Sequence, residues 1–159
     1  MIKRKLDFGL TCCFTGHRTI PLSDVEKLTD SLKKAIDEAI KGGVRHFICG
    51  GALGFDTLAA LEVIKRKADD DIFLEIAVPC TDQSKRWNQG QKKTYDEILS
   101  KADKVTVLFE KYVSGCMHFR NAFMVDNSDL IIAYYRGYSG GTQYTYMYAE
   151  SRGLKIINV

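Results

Sequence analysis

Ile48-Cys49-Gly50-Gly51-Ala52-Leu53-Gly54-Phe55-Asp56 joins a short apolar run to a segment with helical apolar spacing. It reads as a buried strand turning abruptly into a helix, because the glycines remove side chains where the backbone must turn. Two readings of the turn are open. In one, Gly50, Gly51 and Gly54 let amide groups and the positive end of the helix dipole approach an anion, most naturally a phosphate. In the other, the glycines supply only positive φ or close packing. Asp56 bears on the choice: a carboxylate in the first helical turn favours the dipole, yet pointed outward it repels phosphate. A functional Asp56 therefore faces sugar hydroxyls or a base donor.

On either side of this turn, apolar runs alternate with amphipathic segments. Strands are expected at 9–15, 45–49, 72–78, 104–109, 130–134 and 155–159, and helices at 25–40, 57–67, 116–127 and 142–152. Residues 84–101 read as helical with an interruption near Gly90. The first helix carries Val25, Leu28, Leu32, Ile36 and Ile40 on one face, a capping box at Ser23-Asp24-Val25-Glu26 and a stop at Gly42-Gly43. Nearly continuous apolar strands alternating with helices indicate parallel βαβ units, hence a doubly wound α/β sheet in one domain.

At 159 residues the chain buries a core without needing disulfides or metals. Its net charge of +3, with acidic and basic residues interspersed, gives nucleic-acid binding little support. The basic cluster in residues 1–7 is followed by no apolar h-region, so no secretion signal is expected, and no apolar run is long enough to span a membrane. The odd set of cysteines, at 12, 13, 49, 80 and 116, contains no C-x-x-C pair and reads as buried reduced thiols in a cytoplasmic protein. Cys80, Cys116 and His118 match no zinc spacing, and no metal is expected.

In an open parallel sheet, ligands bind outside the carboxyl ends of the strands. The loops at that edge are Thr15-Gly16-His17-Arg18, Gly50 to Gly54, Pro79 to Gln83, Tyr112 to Gly115 and Arg136 to Thr142. They are rich in glycine, hydroxyl and arginine, whereas the opposite edge is mostly solvated Lys/Asp turn chemistry. The two glycine-rich helix entrances, at Gly50-Gly51 and Gly140-Gly141-Thr142, are placed to donate amides to different oxygens of one ligand. Arg18 and Arg120 suit phosphate or ribose hydroxyls, although a surface arginine paired with a carboxylate is the alternative. His17 and His118 are acid–base candidates or simple hydrogen-bonding loop residues. Trp87 and the tyrosines at 134, 135, 138, 144, 146 and 148 are stacking surfaces for a base, or core and subunit interface.

Taken together, Cys13-Phe14-Thr15-Gly16-His17-Arg18, Gly50-Gly51-Ala52-Leu53-Gly54-Phe55-Asp56, Pro79, Trp87, Arg120-Asn121 with Met124-Val125-Asp126, and Gly140-Gly141-Thr142 resemble the SLOG superfamily of Rossmann-like proteins, above all its YpsA/YoqJ-like bacterial and phage members. The resemblance covers essentially the whole chain. It implies a nucleotide-derived small molecule held between the glycine-rich loops, with Gly16, His17, Arg18, Asp56, Trp87, Arg120 and Asn121 as further contacts. No cofactor beyond that ligand is expected. With the tyrosine-rich last helix, the resemblance also implies a homodimer.

Met117-His118-Phe119-Arg120 followed by Gly140-Gly141-Thr142 is also similar to the LOG phosphoribohydrolases, which release a base from a nucleoside monophosphate. In that family a glutamate lies three residues after the glycine-motif threonine; Thr145 stands there in this chain. A threonine supplies no carboxylate to stabilise an oxocarbenium-like transition state or activate water. Binding is therefore expected ahead of hydrolysis, with Asp56 and Arg120 as the remaining catalytic candidates. Gly51 to Asp56 also resembles the DprA group, which binds single-stranded DNA. That activity needs a basic groove with stacking aromatics, and the dispersed charge does not provide an obvious one.

Overall fold

The computed structural model describes residues 9–159. The basic cluster at the start of the chain lies outside the described residues. Six strands form one all-parallel sheet: β1 (Leu10–Gly16), β2 (Val44–Cys49), β3 (Phe73–Cys80), β4 (Lys104–Phe109), β5 (Leu130–Tyr134) and β6 (Lys155–Asn158). Five helices connect them: α1 (Val25–Lys41), α2 (Phe55–Arg66), α3 (Gln89–Lys101), α4 (Cys116–Asp126) and α5 (Gly141–Ser151). The result is a Rossmann-like α/β fold. Among the described residues no helix is long and apolar enough to cross a membrane.

The strand order is β4-β3-β2-β1-β5-β6. The chain steps outward from β1 to β4, then returns through α4 to lay β5 against the other side of β1. Gly16 pairs with Tyr134 at the carboxyl ends of β1 and β5, so the order reverses between these two strands. That reversal is the topological switch point, where neighbouring connections leave on opposite faces and a crevice opens.

Each face has its own core. The stripe Leu28, Leu32, Ile36 and Ile40 of α1 packs with Ala59, Ala60 and Val63 of α2 and Ile98 of α3 onto Phe14, Phe47, Leu74 and Ile76. Met124 and Val125 of α4 and Ala149 of α5 pack onto Cys13, Ile48, Ala77 and Ile131. β5 is buried along its whole length, which explains its unbroken apolar sequence. All five cysteines are buried and free.

Local differences from the sequence reading have simple causes. A 3-10 turn at Leu22–Asp24 leads into α1, and the residue before the helix is Asp24, with no side-chain cap; Ser23 is inside the turn. The capping box belongs to α3, where the Asn88 side chain accepts from Gln91 N at 2.9 Å and the Gln91 side chain accepts from Asn88 N at 3.0 Å. The helix over 84–101 thus starts only at Gln89, and Gly90 falls in its first turn, where it interrupts nothing.

Candidate functional site

A cavity of about 380 Å3 lies over the switch point, within the size range of small-molecule sites. Its walls are the end of β1 from Phe14 to Arg18, the start of α2 at Asp56, the first turns of α4 and the β5–α5 loop from Tyr138 to Thr142. The sheet edge, the crossover to α4 and the last loop meet here because the chain reverses its direction of travel between β1 and β5.

Arg120 anchors the floor. It is only 3% exposed, and its guanidinium is held by groups from distant parts of the chain. Nη1 donates to the Gly50 carbonyl, to the Ala77 carbonyl at 3.3 Å and to Gln83 Oε1 at 3.2 Å. Nε donates to Asn121 Oδ1 at 2.8 Å. Nη2 has only the Met117 thioether, at 3.9 Å. Two of the three guanidinium nitrogens, Nη1 and Nε, are therefore fixed by protein oxygen, while among the described residues Nη2 has a weak sulfur partner. The bond from Nε also orients Asn121: its oxygen is taken, which leaves its amide NH2 as the group to offer a ligand.

Asp56 is buried beside this cation and accepts from Ala52 N at 3.3 Å. Burial pushes its pKa up to about 6, against the opposing pull of Arg120, the Ala52 amide and Arg18. A cavity-lining carboxyl that titrates near neutrality serves as proton donor or acceptor as well as hydrogen-bonding partner. Gly50 explains why the pair fits: a Cβ there would lie 2.8 Å from both Arg120 Nη1 and Asp56 Oδ2. Any side chain at 50 would separate the two charged groups.

His17 closes the opposite wall. Its Nε2 accepts from Arg136 N at 2.8 Å, so the neutral ring carries its proton on Nδ1. Burial, assisted by the Arg136 charge, lowers its pKa. Tyr134, Tyr135 and Tyr138 pack around the ring at 5.5, 5.9 and 4.8 Å. The histidine thereby fastens the β5–α5 loop to the end of β1, a positioning role. Arg18, by contrast, is exposed at the cavity mouth and makes no ion pair among the described residues.

The N-terminus of α5 faces the same space. Gly140, at φ +136, precedes the helix, and no side chain caps it. The leading amides of α5 are thus left to water or a ligand. A Cβ at Gly140 or Gly141 would meet nothing within 4 Å, which shows how open the approach is. Thr145 is fully buried, its hydroxyl donating to the Gly141 carbonyl at 2.8 Å. The position that carries a glutamate in phosphoribohydrolases is thus used here to tie the first turn of the helix. Among the described residues no group of three or more His, Cys, Asp or Glu is arranged to hold a metal.

The structure gathers Gly16, His17, Arg18, Asp56, Arg120, Asn121, Gly140, Gly141 and Thr142 around the cavity. Gly50, Gly51, Gly54 and Trp87 do not line it. Gly50 backs the Arg120–Asp56 pair, and Gly51 packs on Tyr95 and Ile76. Gly54, at φ +78, brings the β2–α2 turn so close to the β1–α1 loop that a Cβ would sit 2.2 Å from the Arg18 carbonyl. Trp87 lines a neighbouring depression.

Sequence reasoning singled out neither Gln83 nor Met117 as a contact. Gln83, 9% exposed, donates to Tyr95 Oη at 3.2 Å and to the Gly50 carbonyl at 3.4 Å while accepting from Arg120. Its neighbours Thr81, Asp82, Ser84, Lys85 and Arg86 are all polar, so nothing in the sequence set it apart.

Comparison with known proteins bears on the family and the fold. The SPbeta prophage-derived protein YoqJ of Bacillus subtilis strain 168 is 38% identical over 138 residues, covering 78% of this chain and 81% of that protein. A UPF0398 protein of Macrococcus caseolyticus is 31% identical over 106 residues, covering 65% of this chain but only 58% of its own length. Among solved structures, DNA processing protein A of Streptococcus pneumoniae has a TM-score of 0.72 at 16% identity, covering 96% of this chain and half (50%) of that one. The same protein from Helicobacter pylori, described for its single-stranded DNA binding mode, has a TM-score of 0.69 at 19% identity, covering 96% of this chain and 66% of that one. At such identities the likeness concerns the fold. The model of the YspA SLOG family matches residues 12–155, and the chain belongs to that family.

Proposed function

We propose that the protein binds a nucleotide or nucleoside-phosphate derivative in the cavity between β1 and β5. The observation that carries this reading is the convergence, at a topological switch point, of the uncapped α5 N-terminus with Arg18 and Arg120 around one cavity. Uncapped amides and arginine edges suit phosphate oxygens. Among the described residues Asp56 is the one carboxylate on the wall, and it suits a sugar hydroxyl or a base amino group. Phosphate at Gly140-Gly141-Thr142 seats the anion on the helix amides, which leaves Asp56 to the sugar or the base. Mass spectrometry of small molecules retained by the purified protein, followed by calorimetric titration with nucleoside monophosphates, tests the reading. Binding that drops at least tenfold in Gly141→Ala and Arg18→Ala is the expected result; monophosphates that bind no more tightly than inorganic sulfate would refute it.

A second reading has its own support in the raised pKa of Asp56, about 6. In it the protein cleaves an N-glycosidic bond: Asp56 takes a proton from the water whose oxygen bonds to the anomeric carbon, the carbon–nitrogen bond breaks with its electron pair going to the base, and the proton held by Asp56 passes, directly or through solvent, to the base nitrogen. Thr145 supplies no second carboxylate. Chromatography of nucleoside monophosphates and NAD-type compounds incubated with the protein decides the matter. Base release lost in Asp56→Asn establishes turnover, and intact substrate after long incubation leaves binding as the function. Oligonucleotide binding that weakens steeply with salt would redirect the reading to single-stranded DNA.

A further inference from the structure

A second depression, of about 640 Å3, opens beside the first, over the carboxyl ends of β3 and β4. The two share Arg18 and Met117 in their walls, so they adjoin at those side chains. Their chemistry differs. The first presents helix amides, arginine, one carboxylate and the rings of Phe14, His17, His118 and Tyr138, whereas the second presents two rings, Trp87 and Tyr112, directly beside the cations Lys85 and Arg86, with the carboxylate of Asp82. Tyr112 is 60% exposed, so no core packing accounts for its place. Trp87 is half-buried and meets Tyr95 nearly perpendicularly at 5.1 Å. Open rings beside cations stack a flat heteroaromatic group and neutralise attached phosphate.

Arg18 joins the two halves. An exposed arginine that makes no ion pair among the described residues, at the junction of two ligand-sized spaces, fits a negatively charged bridge. We infer that the ligand is of the dinucleotide class: two ring-bearing halves linked through a diphosphate, one half at the switch point and the second ring against Trp87 and Tyr112. This rests on the nucleotide reading above and extends it. A mononucleotide occupies only the first space.

Trp87 is the sole tryptophan of the chain, so its emission reports on the second space alone. The test titrates the protein with adenosine and guanosine monophosphates and with the matching symmetric dinucleoside diphosphates, following Trp87 fluorescence and calorimetric affinity together. A dinucleoside diphosphate is expected to bind at least tenfold more tightly than its monophosphate and to quench Trp87, while the monophosphate binds and leaves the emission unchanged. Tyr112→Ala, at an exposed position, should remove the tenfold gain and leave monophosphate affinity as it was. Equal affinities with unchanged emission would overturn the inference while sparing the nucleotide reading. Failure of both ligand types would remove the nucleotide reading and this inference with it. A short oligonucleotide that quenches Trp87 more strongly, with steep salt dependence, would overturn the inference in favour of nucleic acid.

Discussion

Asp56→Asn should make the protein more stable at neutral pH. The carboxyl is buried, and its pKa rises from 3.8 to about 6 because burial penalises the charged form more than Arg120 and the Ala52 amide favour it. Each pH unit of displacement corresponds to about 1.4 kcal/mol, so ionising Asp56 in the native state costs about 3 kcal/mol more than in the unfolded chain. Below pH 3.8 both states hold the proton and no penalty exists. Between pH 3.8 and about 6 the unfolded chain releases the proton while the native protein keeps it, so the wild type loses stability as pH rises. Above pH 6 the loss is complete and constant. Asparagine imitates the protonated acid, keeps an oxygen for the Ala52 amide and never ionises. Urea unfolding of both proteins at pH 4, 5, 6 and 7 should show Asp56→Asn ahead by up to about 3 kcal/mol at pH 7, with the gap closing toward pH 4. Other carboxylates act on both proteins alike, so the difference isolates Asp56. A variant less stable than wild type at pH 7, or a gap that ignores pH, would refute the reasoning. A destabilising carboxylate retained at a cavity wall is the pattern expected of a functional group.

Glu75 should respond to pH in the opposite sense. Burial alone would raise its pKa, but the hydrogen bonds with His46 Nε2 at 3.0 Å and from the Thr106 hydroxyl at 2.6 Å outweigh it, and the value is lowered. Its contribution is present above the unfolded value of 4.5 and lost as pH falls through the folded one. Glu75→Gln should therefore cost about 1–2 kcal/mol in urea unfolding at pH 7, with the cost shrinking below pH 4.5. The glycines of the two loops should separate packing from binding. Gly54→Ala, with positive φ and a carbonyl 2.2 Å from the new Cβ, should cost about 3 kcal/mol or more in thermal unfolding. Gly141→Ala, whose Cβ meets nothing, should leave the melting temperature near wild type while weakening the nucleotide. Equal melting temperatures for the two variants would show that the β2–α2 turn is not a packing device.

The parallel α/β alternation was legible because its signals are local. The stripe of α1 and the continuous apolar β5 each record which surfaces must leave water, and that record needs no knowledge of neighbours. The cap of α1 was misread for an equally local reason. Ser23 and Glu26 have the right spacing, but the turn at Leu22–Asp24 shifts the start of the helix past Ser23. The cavity wall was partly legible, since the carboxyl-edge loops could be sorted from strand direction alone. Gln83 was not, because its value lies in reaching Gly50, Tyr95 and Arg120 at once.

The sequence by itself determined the alternation of strands and helices, the edge on which the glycine-, hydroxyl- and arginine-rich loops collect and the absence of a glutamate at 145. These are properties of single segments and of residue identity. Only the tertiary structure decided the strand order, because the apolar pattern of a parallel strand does not name its neighbours. With the order came the switch point between β1 and β5. The division of labour between the glycine loops came with it too: Gly50, Gly51 and Gly54 turned inward to let Arg120, Tyr95 and the Arg18 backbone approach, and Gly140 and Gly141 were left open to the cavity. Close approach and open approach both call for glycine, so the residue alone cannot distinguish them; what stands opposite its missing side chain does.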